Sequence, residues 1–187
     1  AMISVGSVGK AGLHCEIRIV DEQWNELPPG ESGEVLLRGG NLFYEYWGNE
    51  QATSEAFRDG WFCSGDVGYV DERGDLRIND RKKDVVISGG ENIYPAELEV
   101  VLDAMPDVKE AVVVGKSDSK WGEVAVAVVV KGTDAEFDEA TLLARFEKKL
   151  ARFKHPKEVV FVDVLPRNAM GKVLKYELRE LLDQGPQ

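Results

Sequence analysis

Three stretches of this chain carry groups that could act on a charged, hydroxylated ligand. In GWFCSGD, residues 60–66, flanking glycines lead to Asp66, whose short carboxylate can accept hydrogen bonds from vicinal hydroxyls such as those of a ribose. In LPRNAMGKVLK, residues 165–175, Pro166 and Gly171 bracket a loop that delivers Lys172 at the start of a helical pattern. An ammonium on such a loop can neutralise an oxyanion or a phosphate during reaction. In DRKKDVVISGGENIYPAELE, residues 80–99, Arg81, Lys82 and Lys83 sit between Asp80 and Asp84, a β-branched run follows, and Ser88-Gly89-Gly90 must then turn sharply. Paired glycines reach positive φ at little cost and let backbone N–H groups approach a ligand closely. Taken singly, each stretch has an ordinary alternative: an Asx-turn at Asp66, a solvated lysine at 172, a strand–turn–helix behind a basic run.

The elements that must position these groups fall into two halves. Before residue 80 the pattern is of β hairpins, with strands predicted over 15–20, 34–38, 67–70 and 76–78, and DERGD at 71–75 as a tight connection. Residues 49–57 have few strand formers and suit one or two helical turns. This half reads as a small barrel or sandwich layer. Beyond Asp84 the elements alternate. A helix over 95–105 aligns Leu98, Val101, Leu102 and Met105; strands follow at 111–114 and 123–131. A second helix over 138–150 has Asp138 as N-cap and Leu142, Leu143, Phe146 and Leu150 on one face. A strand at 159–162 and a helix over 173–182 complete the order β-α-β-β-α-β-α. The fold class expected is α+β: a β-rich subdomain over 1–80, a connector at 81–84, and an α+β domain over 85–187 with helices on one side of a mixed sheet.

Composition bounds the chemistry. The 187 residues are 43% hydrophobic, enough for a packed core, and 23 Lys+Arg against 34 Asp+Glu leave a net charge of −11. That balance argues against a general nucleic-acid binder, so an anionic ligand must be met by local cations. Cys15 and Cys63 form no disulfide framework or metal-ligand set, and a cytoplasmic, reducing location is expected. The longest apolar run, 124–130, is seven residues, too short to span a bilayer. No signal peptide opens the chain, and AMISVGSVGK reads as a cut inside a longer protein.

In this order and at these spacings the three stretches resemble the C-terminal signature motifs of the adenylate-forming enzymes, most closely the acyl-CoA synthetases acting on fatty or aryl acids. GSVGKAG at 6–12, LPPGESGEVLLRG at 27–39 and YWGNEQATSEAFRDGW at 46–61 extend the resemblance over nearly the whole chain. The resemblance implies an enzyme that activates a carboxylic acid with ATP and Mg²⁺ to an acyl-adenylate, then passes the acyl group to coenzyme A. It implies that Asp66 and Arg81 hold the ribose, with Arg81 also toward phosphate, that Lys83 is the hinge of a swinging C-terminal lid, and that Lys172 is the catalytic lysine. By the same resemblance Ser88, Gly89 and Gly90 line the pantetheine tunnel, and Trp121 and Phe153 flank the coenzyme A adenine, with Lys154 or Lys157 near its phosphates. His14 and His155 receive no role.

The chain departs from a complete family member. It lacks the Ser/Thr/Gly-rich phosphate loop and the aromatic-Gly-x-Thr-Glu segment of the large N-terminal domain, and Cys63 and Ser64 stand where Arg and Thr are commoner. The expectation is the end of that large domain, the hinge and the whole lid, inactive alone and partnered by the missing domain. An adenylation domain serving a carrier protein, a luciferase-like enzyme and a non-catalytic binding module are the rival readings; GGENIYPAE at 89–97 favours the CoA ligases.

Overall fold

The computed structural model describes residues 6–133 and 135–183, so the first five residues of AMISVGSVGK lie outside the described residues. The chain divides into two compact units, Ala1–Lys83 and Asp84–Gln187.

The first unit is one antiparallel five-stranded sheet built from β1 (Cys15–Val20), β2 (Gly33–Gly39), β3 (Phe57–Arg58), β4 (Trp61–Val70) and β5 (Leu76–Arg81), with the helix α1 (Glu50–Ala56) leading into β3. β4 is the central strand. One of its edges carries β2; the other is shared by β3 at the Trp61 end and β5 at the Val70 end. Residues alternate across the sheet as the pleat requires: Ile19, Val35 and Leu76 pack together in one cluster, Val20, Leu36 and Trp61 in another. The Trp61 ring is flanked by the guanidinium groups of Arg18 and Arg38 at 4.4 and 4.3 Å. β4 is much longer than the predicted 67–70, because residues 61–66 are themselves strand; Gly65, at φ 71°, does not end it.

In the second unit a long hairpin, β8 (Val108–Asp118) with β9 (Gly122–Lys131), is the backbone of a mixed sheet. β10 (Glu158–Phe161) runs parallel to β9, and the short hairpin β6 (Val86–Ser88) and β7 (Glu91–Ile93) touches β9 through the pair Ser88 and Gly122. The helices are α2 (Pro95–Asp103), α3 (Glu139–Ala144) and α4 (Lys175–Asp183). Val113, Ala125, Ala127 and Val129 pack with Leu98, Val101 and Leu102 of α2 and Leu142 of α3. Val112, Val114, Val128 and Val130 pack with Leu165 and with Leu178 of α4. By strand alternation these are opposite faces, so the helices cover both sides of the sheet, not one. β9 is apolar on both faces, and each needs cover.

All three helices of this unit are shorter than expected, α2 ending at Asp103 where the spacing carried it to 105. α3 stops at Ala144; residues 145–150 continue as tight turns with i−3 bonds from Arg145, Phe146, Glu147 and Lys149, and Lys148 takes φ 63°. Phe146 is nonetheless fully buried, so the apolar spacing served the core without a continuous helix. α4 begins at Lys175 because Val173 is held in a bridge to Arg167.

Candidate active site

In the first unit the β4–β5 register places Asp66 opposite Arg81. Their ion pair spans 3.0 Å, with side chains 28% and 52% exposed. Arg81 also donates from Nη1 to the Ser64 carbonyl at 3.1 Å, and the Ser64 hydroxyl accepts the Asp66 N–H at 3.0 Å. The carboxylate is therefore aimed by its neighbours yet retains lone pairs toward solvent. Asp66 lies inside β4, not at the end of a turn as its glycine flanks predict. One residue pair along, Lys82 meets Glu34 at 2.6 Å. Lys83 is exposed in a 3-10 turn, Lys82–Asp84, and Asp84, nearly buried, pairs with Arg179 of α4 at 2.7 Å. Burial pushes the Cys63 thiol up, aided by the Glu34 charge, which makes it a poor nucleophile.

In the second unit the turn between β6 and β7 is Gly89-Gly90, with φ 61° and 86°. The Gly89 N–H donates to the Trp121 carbonyl at 2.8 Å, and a Cβ on Gly89 would come within 2.8 Å of the Trp121 ring. Here glycine is required twice over, by conformation and by contact. Trp121 is in turn held by Asp118, whose Oδ1 accepts the N–H groups of both Lys120 and Trp121 at 2.8 Å. Those two bonds hold the Asp118 carboxyl below its ordinary range. The Glu123 carboxylate accepts the Ile87 N–H at 3.0 Å, doing for β6 what a neighbouring strand's carbonyl would otherwise do. Ser88, Gly89, Gly90 and Trp121 are thus brought into one wall, with the indole 43% exposed.

Phe153 and Lys154 lie in a 3-10 turn, Arg152–Lys154. Phe153 is exposed; Lys154 is engaged with Glu97 at 2.5 Å and stands 5.9 Å from the Phe153 ring. Lys157 is exposed and its N–H donates to the Ala125 carbonyl at 2.8 Å. Lys172 is exposed on a closed loop. The Asn168 side chain accepts the N–H groups of Met170 and Lys172 at 3.0 and 2.9 Å, and the Asn168 N–H donates to the Lys172 carbonyl at 2.9 Å. The ammonium is carried by a bonded backbone, ahead of α4 and not at its first turn. Among the described residues no group of three or more His, Cys, Asp and Glu is placed to hold a metal ion. Asp118, Glu123 and Asn168 escaped the reading of the sequence, although Asx-turn spacing was present for Asp118 and Asn168.

Comparison with known proteins gives this geometry its context. The AMP-binding enzyme C-terminal domain matches residues 97–172. The chain is 48% identical over 97% of its length to an indoleacetate–CoA ligase of Aromatoleum aromaticum, and 46% identical over 98% to a 2-succinylbenzoate–CoA ligase of Bacillus mycoides. Among solved structures, an o-succinylbenzoate CoA synthetase from Bacillus subtilis in complex with its acyl-adenylate intermediate superposes with a TM-score of 0.87 at 40% identity over 94% of the chain. The chain spans 36% and 37% of the two ligases' lengths and 36% of the synthetase's. The chain thus carries an AMP-binding enzyme C-terminal domain over residues 97–172 and corresponds to the C-terminal part of the CoA ligases it is similar to.

Proposed function

We propose that the whole protein is an ATP-dependent acid–thiol ligase and that this chain carries its hinge and lid. The observation that carries the reading is the glycine turn against Trp121: a wall without side chains beside an exposed indole suits a narrow passage for a pantetheine thiol. In the first half-reaction a carboxylate oxygen of the acid attacks the α-phosphorus of ATP, and pyrophosphate leaves. Asp66, aimed by Arg81, accepts hydrogen bonds from the ribose hydroxyls, and Arg81 offsets phosphate charge. Lys172 donates to the carboxylate and α-phosphate oxygens as negative charge gathers there. In the second, the coenzyme A thiol attacks the acyl carbon and AMP leaves. Ser88, Gly89 and Gly90 line the thiol's path, Trp121 and Phe153 face the adenine, and Lys157 reaches the phosphates, since Lys154 is engaged with Glu97.

Rotation about residues 81–84, with Lys83 as pivot, would present Lys172 for the first step and the glycine wall for the second. We assign residues 1–80 to the large domain and 85–187 to the lid. Among the described residues no group of three or more His, Cys, Asp and Glu is placed to hold Mg²⁺, and no step is routed through it. No helix among the described residues is long and apolar enough to cross a membrane; the paucity of cysteine supports a cytoplasmic enzyme.

The test uses the full-length protein, with pyrophosphate release and thioester formation from supplied acyl-adenylate measured separately. Lys172→Ala should suppress pyrophosphate release about a hundredfold and thioester formation far less; Gly89→Val should reverse that ratio. Equal effects of both variants on both steps would sink the reading.

A further inference from the structure

Lys172 is the tip of a small scaffold that reaches the sheet through one arginine. Arg167 donates from Nη1 to the Gly171 carbonyl at 2.6 Å and from Nη2 to Glu110 of β8 at 2.7 Å. It also closes the loop at its base through the bridge to Val173. Gly171, the residue Arg167 grips, immediately precedes Lys172 and takes φ 81°, a backbone state that only glycine reaches without strain. Asn168 closes the same loop from within, bonding Lys172 on both its N–H and its carbonyl. The peptide that carries the ammonium is thus tied on one side to Asn168 and on the other, through a guanidinium fork, to the central hairpin of the lid.

We infer that Arg167 and Glu110 are positioning residues for Lys172: the fork sets where the ammonium projects, and Glu110 sets the fork. Neither touches the reacting atoms. The geometry of the fork matters, because a planar guanidinium can serve a carbonyl and a carboxylate at once in fixed directions, whereas an ammonium cannot. Both side chains are about two-fifths exposed, at 40% and 37%, and a pair so placed contributes little to global stability. Position, not folding, is what its loss would disturb. The inference rests on the role proposed for Lys172.

The test compares Arg167→Met, Arg167→Lys and Glu110→Gln with Lys172→Ala in the full-length enzyme, again separating the half-reactions. Loss of the fork should slow pyrophosphate release about tenfold through kcat, with the KM for ATP and thioester formation from supplied acyl-adenylate within about twofold. Arg167→Lys should recover only part of the rate. In the 187-residue chain, amide hydrogen exchange at Met170 and Lys172 should quicken in Arg167→Met, with the unfolding midpoint little moved. Equal losses in both half-reactions, or unchanged exchange at Lys172, would overturn the inference. If Lys172→Ala leaves pyrophosphate release intact, the functional reading itself fails; if Lys172→Ala abolishes it while the Arg167 and Glu110 variants do not, only the positioning role falls.

Discussion

Asp118 shows how a single carboxylate organises a candidate ligand wall. Its folded-state pKa lies below the ordinary 3.8 because the Trp121 and Lys120 N–H groups stabilise the charged form. A depressed carboxyl contributes stability that is present above the unfolded-state value and lost as pH falls through the folded one. Protection of the Trp121 amide should therefore hold steady above about pH 4 and decline below 3.8, read by hydrogen exchange. Asp118→Asn should remove that pH dependence; a profile unchanged by the substitution would show that Asp118 is not the group titrating. At this scale much was legible. Gly89 and Gly90 announce a turn from their types alone, and both adopt positive φ. The partner of Gly89 was not legible, because Trp121 is thirty-two positions away in sequence and reaches it through pairing of β6 with β9.

Among the elements, α3 joins local signal to tertiary contact most directly. Asp138 accepts the Thr141 N–H at 2.8 Å and the Thr141 hydroxyl at 2.6 Å, as the N-cap position predicted. From the first turn, Glu139 accepts the Val159 N–H at 2.9 Å and ties the helix to β10. Asp138→Ala should lower the urea midpoint, and Asp138→Asn should recover most of the loss. The length of α3 was misjudged for a physical reason. Apolar residues at helical spacing report that one side faces a core, and the i−3 turns at 145–150 meet that demand as well as a helix does. β7 went unread because three residues after a glycine turn carry almost no periodicity, and pairing with β6 alone makes them a strand.

At the level of the whole molecule, the chain holds the residues proposed as ribose carboxylate, pivot, thiol wall and catalytic lysine, but no Ser/Thr/Gly-rich phosphate loop. The 187-residue chain alone should therefore release no pyrophosphate from ATP with any carboxylic acid, while the full-length protein should do so with its own substrate if the proposed function holds. Turnover by the isolated chain would refute the division of labour proposed here. The residues by themselves determined the resemblance to CoA ligases, the α+β class, most strand and helix locations and the candidate groups, because turn chemistry, apolar periodicity and motif order are local properties of the chain. The tertiary structure decided that helices cover both faces of the second unit's sheet, that Asp66 is aimed by Arg81 across a strand pair, and that Lys172 is tied through Arg167 to Glu110. Those outcomes depend on strand register and on pairs fifteen to nearly sixty positions apart, which no local pattern encodes.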